Sequence, residues 1–237
     1  MCYNSRAMFG NSGRILSFLL IGSLGLAMTP VEIARNFKKK LASIDSLQSR
    51  FDHAYYSNSL AAPLMEKGNF LFKKPDRMRW EYTEPEKKTY VYQAGTLLSY
   101  IPEDNQLIRS TVDREQAESD ILGFFSGKTE FEERYLIEES PFPSDDPQAW
   151  QIKLTPKEEG EQSYILLEIS RAGWLLQKAV LFDWAGNKHE FRFSRIRVNP
   201  RLPGDAFEIK VPPDCEIIDQ TLPVKKTRGP GFPGGSG

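Results

Sequence analysis

The side chains able to do chemistry are few and far apart. Histidine occurs twice, at His53 and His189, each alone in its stretch and neither at a metal-ligating spacing. Cysteine also occurs twice, at Cys2 and Cys215. Glu115, Glu118 and Asp120 fall together, but carboxylates gather in the first turn of a helix for electrostatic reasons alone. No nucleophile elbow, phosphate loop or dinucleotide fingerprint is present. Two carboxylates meeting from distant segments remain the one route to a hydrolase, and no residue is nominated for it. The expectation is a protein that is not an enzyme, with no catalytic residue, no metal and no cofactor.

Charge narrows the partners. Lysine and arginine number 31 against 32 aspartates and glutamates, for a net charge of −1. Such a balance offers no footprint for nucleic acid. Arg6 and Arg14 precede an apolar run over 15–27, and no acidic residue appears before Glu32. The run is short of the roughly 20 residues that span a hydrocarbon core, and Gly25-Leu26-Ala27 is a small-x-small cleavage site. A secretory signal peptide over 1–27 is expected, an uncleaved anchor being the alternative. The mature chain then keeps only Cys215, so it forms no internal disulfide, and no cysteine follows the apolar run to take a lipid anchor.

The elements that would hold any site are mainly strands. Thr29, Pro30 and Glu32 give a helix N-cap, a proline at the first position and a capping-box glutamate. Ala34, Phe37, Leu41 and Ile44 continue at helical spacing, which predicts an amphipathic helix over 30–47. From Arg50 the period becomes two. Phe70 and Phe72, then Met78, Trp80 and Tyr82, alternate with polar neighbours. Similar runs follow at Tyr90–Tyr92, Leu98–Tyr100, Trp150–Leu154, Ile165–Ile169, Val180–Trp184, Phe191–Phe193 and Phe207–Val211. Short turns between them predict about ten antiparallel strands. One further helix is expected over 116–125, with Ile121, Leu122, Phe124 and Phe125 as its apolar edge. Residues 140–147 read as loop, and 220–237 as a disordered Pro/Gly-rich tail.

Two helices roughly 10 Å across cannot cover ten strands spaced about 4.8 Å apart. The sheet must curl, with the helices plugging the opening, and such a shape can leave an apolar hollow. A filled β-sandwich accounts for the same alternation.

The run from Gly68 to Pro85, GNFLFKKPDRMRWEYTEP, resembles the signature of the outer-membrane lipoprotein carrier (LolA-like) family. Gly95–Pro102 with Gln106, Leu154–Lys157, and Phe207–Ile209 with Pro212, Pro213, Ile218 and Asp219 match later landmarks in the same order. The resemblance covers residues 30–219, giving a carrier-like domain over 28–219. It implies a mainly β protein with some α: a strongly curved, unclosed antiparallel sheet (a half-barrel) with a helical lid over a cavity for acyl chains. It further implies a periplasmic, monomeric chaperone that takes acylated lipoproteins from an inner-membrane release complex to an outer-membrane acceptor. Phe70, Phe72, Met78, Trp80, Tyr82, Phe37, Leu41, Ile121, Leu122 and Phe125 are the expected cavity residues, and Lys74 the expected lid latch. Where relatives carry arginine at that latch, lysine supplies charge without a planar fork. A glutamate at Trp80 is then expected to abolish cargo binding and leave the fold intact. The alternative function is a periplasmic module of the same fold that binds another lipid or senses lipoproteins.

Overall fold

A computed structural model describes residues 28–112, 121–126, 129–144, 146–158 and 162–221. The expected signal peptide, most of the expected tail and the start of the second expected helix lie outside these residues. The described chain begins with helix α1 (Pro30–Ala42) and strand β1 (Ser46–Tyr56). A meander follows through β2 (Leu64–Lys73), β3 (Arg77–Glu84), β4 (Lys88–Gln93), β5 (Thr96–Ile101) and β6 (Gln106–Thr111). Two short helices, α2 (Ile121–Ser126) and α3 (Phe131–Arg134), lead into a second meander. That meander comprises β7 (Tyr135–Glu139), β8 (Ala149–Pro156), β9 (Gln162–Ser170), β10 (Leu176–Asp183) and β11 (Lys188–Val198), and β12 (Glu216–Gln220) ends the described elements.

The twelve strands make one sheet in the order β12-β6-β5-β4-β3-β2-β1-β11-β10-β9-β8-β7. β1 and β11 join the two meanders, and β7 and β12 form free outer edges, so the sheet is unclosed. All neighbours run antiparallel except β12, which lies parallel to β6. Trp80 on β3 and Ile152 on β8 are six strand positions apart, yet both belong to one core cluster with Phe37 of α1. At about 4.8 Å per strand, three helices reach both only if the sheet curls around them. This is the mainly β half-barrel with a helical lid that the resemblance implied.

The capping box is present: the Thr29 hydroxyl accepts from the Glu32 N–H, and the Glu32 carboxylate accepts from the Thr29 N–H at 2.8 Å. Helix α1 is shorter than its apolar spacing suggests. It stops at Ala42 because Ser43 caps it and Asn199 Oδ1 accepts from the N–H groups of Asp45 and Ser46, drawing the chain alongside β11. Ile44 and Leu47 keep the helical spacing but are a connector and a strand residue, both buried.

The count of about ten strands falls short because β6, β7 and β12 are five or six residues long with little alternation. One expected strand is absent. Phe207–Val211 forms no ladder but belongs to an extended strap over 199–215. Pro203, Pro212 and Pro213 withhold donors there. The strap crosses the convex face, where Arg79 donates to the Glu208 carbonyl at 2.9 Å and Arg77 stacks on Phe207.

Candidate functional site

Alternation along the strands divides the sheet cleanly. On β3, Met78, Trp80 and Tyr82 point to the helix-covered face, while Arg77 and Arg79 point to the strap. On β2, Phe70 and Phe72 share the face of Trp80 and Met78, to which they are paired across the strands. This decides which side is concave, a choice that period-two spacing leaves open.

Phe70, Phe72, Met78 and Trp80 converge with Phe37 and Leu41 of α1 and Phe125 of α2 in one buried cluster. Phe70 lies 4.4 Å from Trp80 and 4.6 Å from Phe125 between ring centroids, and Phe51 meets Trp80 at 4.9 Å. Tyr82 is half-buried at the margin. The side chains of Ile121 and Leu122 lie outside the described residues. Phe51, Phe131 and Phe193 belong to the same cluster and are additions to the expected set. Phe51 and Phe193 are each readable as strand residues but not as neighbours until the β1–β11 register is known.

Helix α1 lies on the sheet by its buried residues Ile33, Ala34, Phe37 and Leu41. Among the described residues its polar ties to the rest of the chain are few. Arg35 pairs with Glu132 at 2.7 Å and Lys38 pairs with Glu130, both in or beside α3. At its C-terminal end Lys74 donates from its ammonium to the Ala42 carbonyl at 2.5 Å and from its backbone to the Asp45 carbonyl at 2.8 Å. A lysine side chain reaching a helix's last carbonyls satisfies an orphan acceptor and complements the helix dipole.

Among the described residues the lid packs closely on the sheet. A small hollow of about 10 Å³ lies between them, bordered by Leu41, Ile44, Leu47, Ser49, Phe125, Leu176, Phe193 and Ile196 among others. A larger recess of about 560 Å³ opens beside the strap, but Arg79, Glu81, Lys87, Asp205, Glu208 and Lys210 line it. Those charges stand among Tyr82, Tyr100, Pro102, Ala206 and Ile209, so the recess is of mixed character, and the more uniformly apolar concave face is the candidate site.

The two histidines, each isolated in sequence, meet in space. His53 Nε2 lies 3.1 Å from His189 Nδ1, and His53 Nδ1 lies 3.0 Å from Glu66. Lys88 closes the chain on the other Glu66 oxygen at 2.5 Å. Antiparallel pairing places His189 opposite Tyr55 and Glu66 opposite His53, across strands that sequence spacing cannot align. His53 and Glu66 are only 7% and 5% exposed, and His53 stacks on Phe191 at 4.2 Å. Both ring nitrogens of His53 face protein partners, and among the described residues no group of three or more His, Cys, Asp or Glu is placed to hold a metal ion.

Burial alone would raise the Glu66 carboxyl, but hydrogen bonds from His53 and Lys88 and their charges hold it below the usual range. Burial and the neighbouring His53 lower His189 to about 4. The phenol of Tyr82 is pushed up by burial and by the Glu66 charge.

The sign of the pH effect follows. His189 is held neutral in the folded state and titrates near 6.5 when unfolded, so its contribution is complete above pH 6.5 and lost as pH falls toward about 4. Glu66 adds a loss in the same direction, but only below 4.5. The unfolding free energy, and with it the unfolding temperature, should therefore fall from pH 6.5 to 4.5 by the His189 share, on the order of 2 kcal/mol. Calorimetry of a His189→Gln variant should show that slope flattened; an unchanged slope would assign it elsewhere.

A model of the family described as "Outer membrane lipoprotein carrier protein LolA" matches residues 42–210. An outer-membrane lipoprotein carrier protein from Cupriavidus pinatubonensis is 28% identical over 163 residues, 69% of this chain and 74% of its own length. One from Dechloromonas aromatica is 23% identical over 180 residues, covering 76% and 84%. The crystal structure of an uncharacterized conserved protein from Thermus thermophilus shares the fold at a TM-score of 0.53 and 14% identity, over 80% of this chain and 98% of that one.

Proposed function

The chain belongs to the outer-membrane lipoprotein carrier family, and from that premise we propose that it is a periplasmic chaperone holding lipoprotein acyl chains against the concave face of its sheet. It takes them from an inner-membrane release complex and delivers them to an outer-membrane acceptor, as a monomer and without covalent chemistry. The proposed organisation is a cleaved signal peptide over 1–27, a carrier domain over 28–219 and a tail over 220–237.

One observation carries this reading. A broad face of aromatic and aliphatic side chains is covered by an amphipathic helix with few polar ties. Each methylene moved from water into such an environment contributes about 0.8 kcal/mol, so one long acyl chain contributes on the order of 10 kcal/mol. With a hollow of about 10 Å³, cargo enters only as Phe37, Leu41 and Phe125 leave the sheet. Their lost burial offsets much of the gain and keeps release possible. Lys74 acts in this reading as the latch at the C-terminal end of the lid.

Solvent extraction of the protein purified from a periplasm, followed by mass spectrometry, tests the ligand class. Acylated lipopeptide is the expected yield. A glycolipid or quinone in its place would reassign the chain as a binding module for another lipid on the same fold.

A further inference from the structure

Ser49 lies on the concave face of β1, between Leu47 and Phe51 by alternation, and faces Phe70 across β2. It is only 2% exposed, and its hydroxyl has no hydrogen-bond partner among the described residues. A bulge lies in the other neighbouring strand, opposite Ser49. The β1–β11 register steps from Gln48–Arg197 to Arg50–Ser194, and Arg195 adopts a left-handed φ of 52°. The extra residue in β11 spreads the pairing opposite Ser49. The small hollow sits here, where α1 passes into β1, and Ser49 is the one polar residue among the nine that line it.

Its volume of about 10 Å³ is at the lower limit for one water, which would need two to four polar partners to stay. The lining side chains offer one. A buried donor without an acceptor destabilises the closed state, and alanine at this strand position would avoid that. An acyl chain supplies the missing half: a long apolar tail with a single carbonyl acceptor at its head. A hollow with apolar walls and a single donor near the sheet's rim matches that chemistry, the tail then running toward Phe70 and Trp80.

We propose that the Ser49 hydroxyl donates a hydrogen bond to the head carbonyl of the cargo's acyl chain, making the site selective for acyl over alkyl chains. This rests on the carrier reading above. The bond forms when the lid lifts Leu41, Ile44 and Phe125 from the hollow and the carbonyl takes the freed space.

The test compares two probes on the full chain: a lipopeptide with two ester-linked palmitoyl chains, and the same peptide with two hexadecyl ether chains. Wild-type protein should bind the ester probe about five- to tenfold more tightly, as one hydrogen bond in apolar surroundings requires. Ser49→Ala should bring the ratio to about one and keep or raise the unfolding temperature. Equal binding of the two probes by wild type, or a ratio retained in Ser49→Ala, overturns the role of Ser49 and leaves the carrier reading standing. A Ser49→Ala chain that fails to fold also overturns it, because the hydroxyl would then be structural. Wild type that binds neither probe defeats the carrier reading itself.

Discussion

Trp80→Ala is expected to lower the unfolding free energy by about 3–5 kcal/mol, the range for emptying a packed aromatic site. For a chain of this size that corresponds to a fall in melting temperature on the order of 10 °C. The indole is 9% exposed and packs within 4.4–6.0 Å, between ring centroids, of Phe70, Phe51, Phe191 and Phe193. It is the point where both meanders meet on the concave face. Glutamate there would fare worse, because a carboxylate among those rings has no partner to offset its desolvation. The expectation that Trp80→Glu leaves the fold intact is therefore corrected: that variant measures stability before it measures binding. Trp80→Phe keeps most of the apolar volume, so it is the variant for cargo assays. Denaturant unfolding of Trp80→Ala and Trp80→Phe checks this, and a loss under about 1 kcal/mol for alanine, far below the range for a packed aromatic, would show that the concave face is not the packed core described here.

Gly68→Ala should be nearly as damaging. A Cβ at position 68 would stand 2.2 Å from the Glu81 carbonyl oxygen and 2.6 Å from the Phe51 ring. The ring could turn aside, but the carbonyl is backbone of the neighbouring strand. The β2–β3 ladder already shifts register between Lys67 and Gly68, so the absent side chain is what lets Phe51 lie across β2 to reach Trp80 and Tyr82. Overpacking of this kind costs about 3 kcal/mol. Adding Phe51→Leu should recover little of it, since the carbonyl clash persists. Full recovery in the double variant would place the strain in the ring alone.

What could be read in the sequence was local. The N-terminal cap of α1 needs only Thr29, Pro30 and Glu32, and the structure closes it as expected. Alternation at Phe70, Phe72, Met78 and Trp80 set a shared face because the period of a strand is intrinsic. What failed depended on partners distant in the chain. The end of α1 is fixed by Asn199, which lies 154 positions beyond Asp45. The stretch around Phe207 has strand-like alternation, but its edge is used by Arg79 and by prolines rather than by a ladder. The His53–His189 pair exists only through β1–β11 register, which no spacing in the sequence encodes. Of the residues expected at a cavity, alternation put those on strands on one face, and the amphipathic spacing put Phe37 and Leu41 in the same buried cluster. The small size of the hollow beside Ser49 was beyond reach, since it depends on how tightly the lid seats.

The central claim is that this chain extracts and holds acylated lipoprotein. Its most direct test is to incubate the purified protein with inner-membrane spheroplasts carrying a radiolabelled lipoprotein and to measure label released into the supernatant. Release in a one-to-one complex with the carrier is the predicted result. Label that stays with the membrane, while circular dichroism and a cooperative melt show the protein folded, would contradict it.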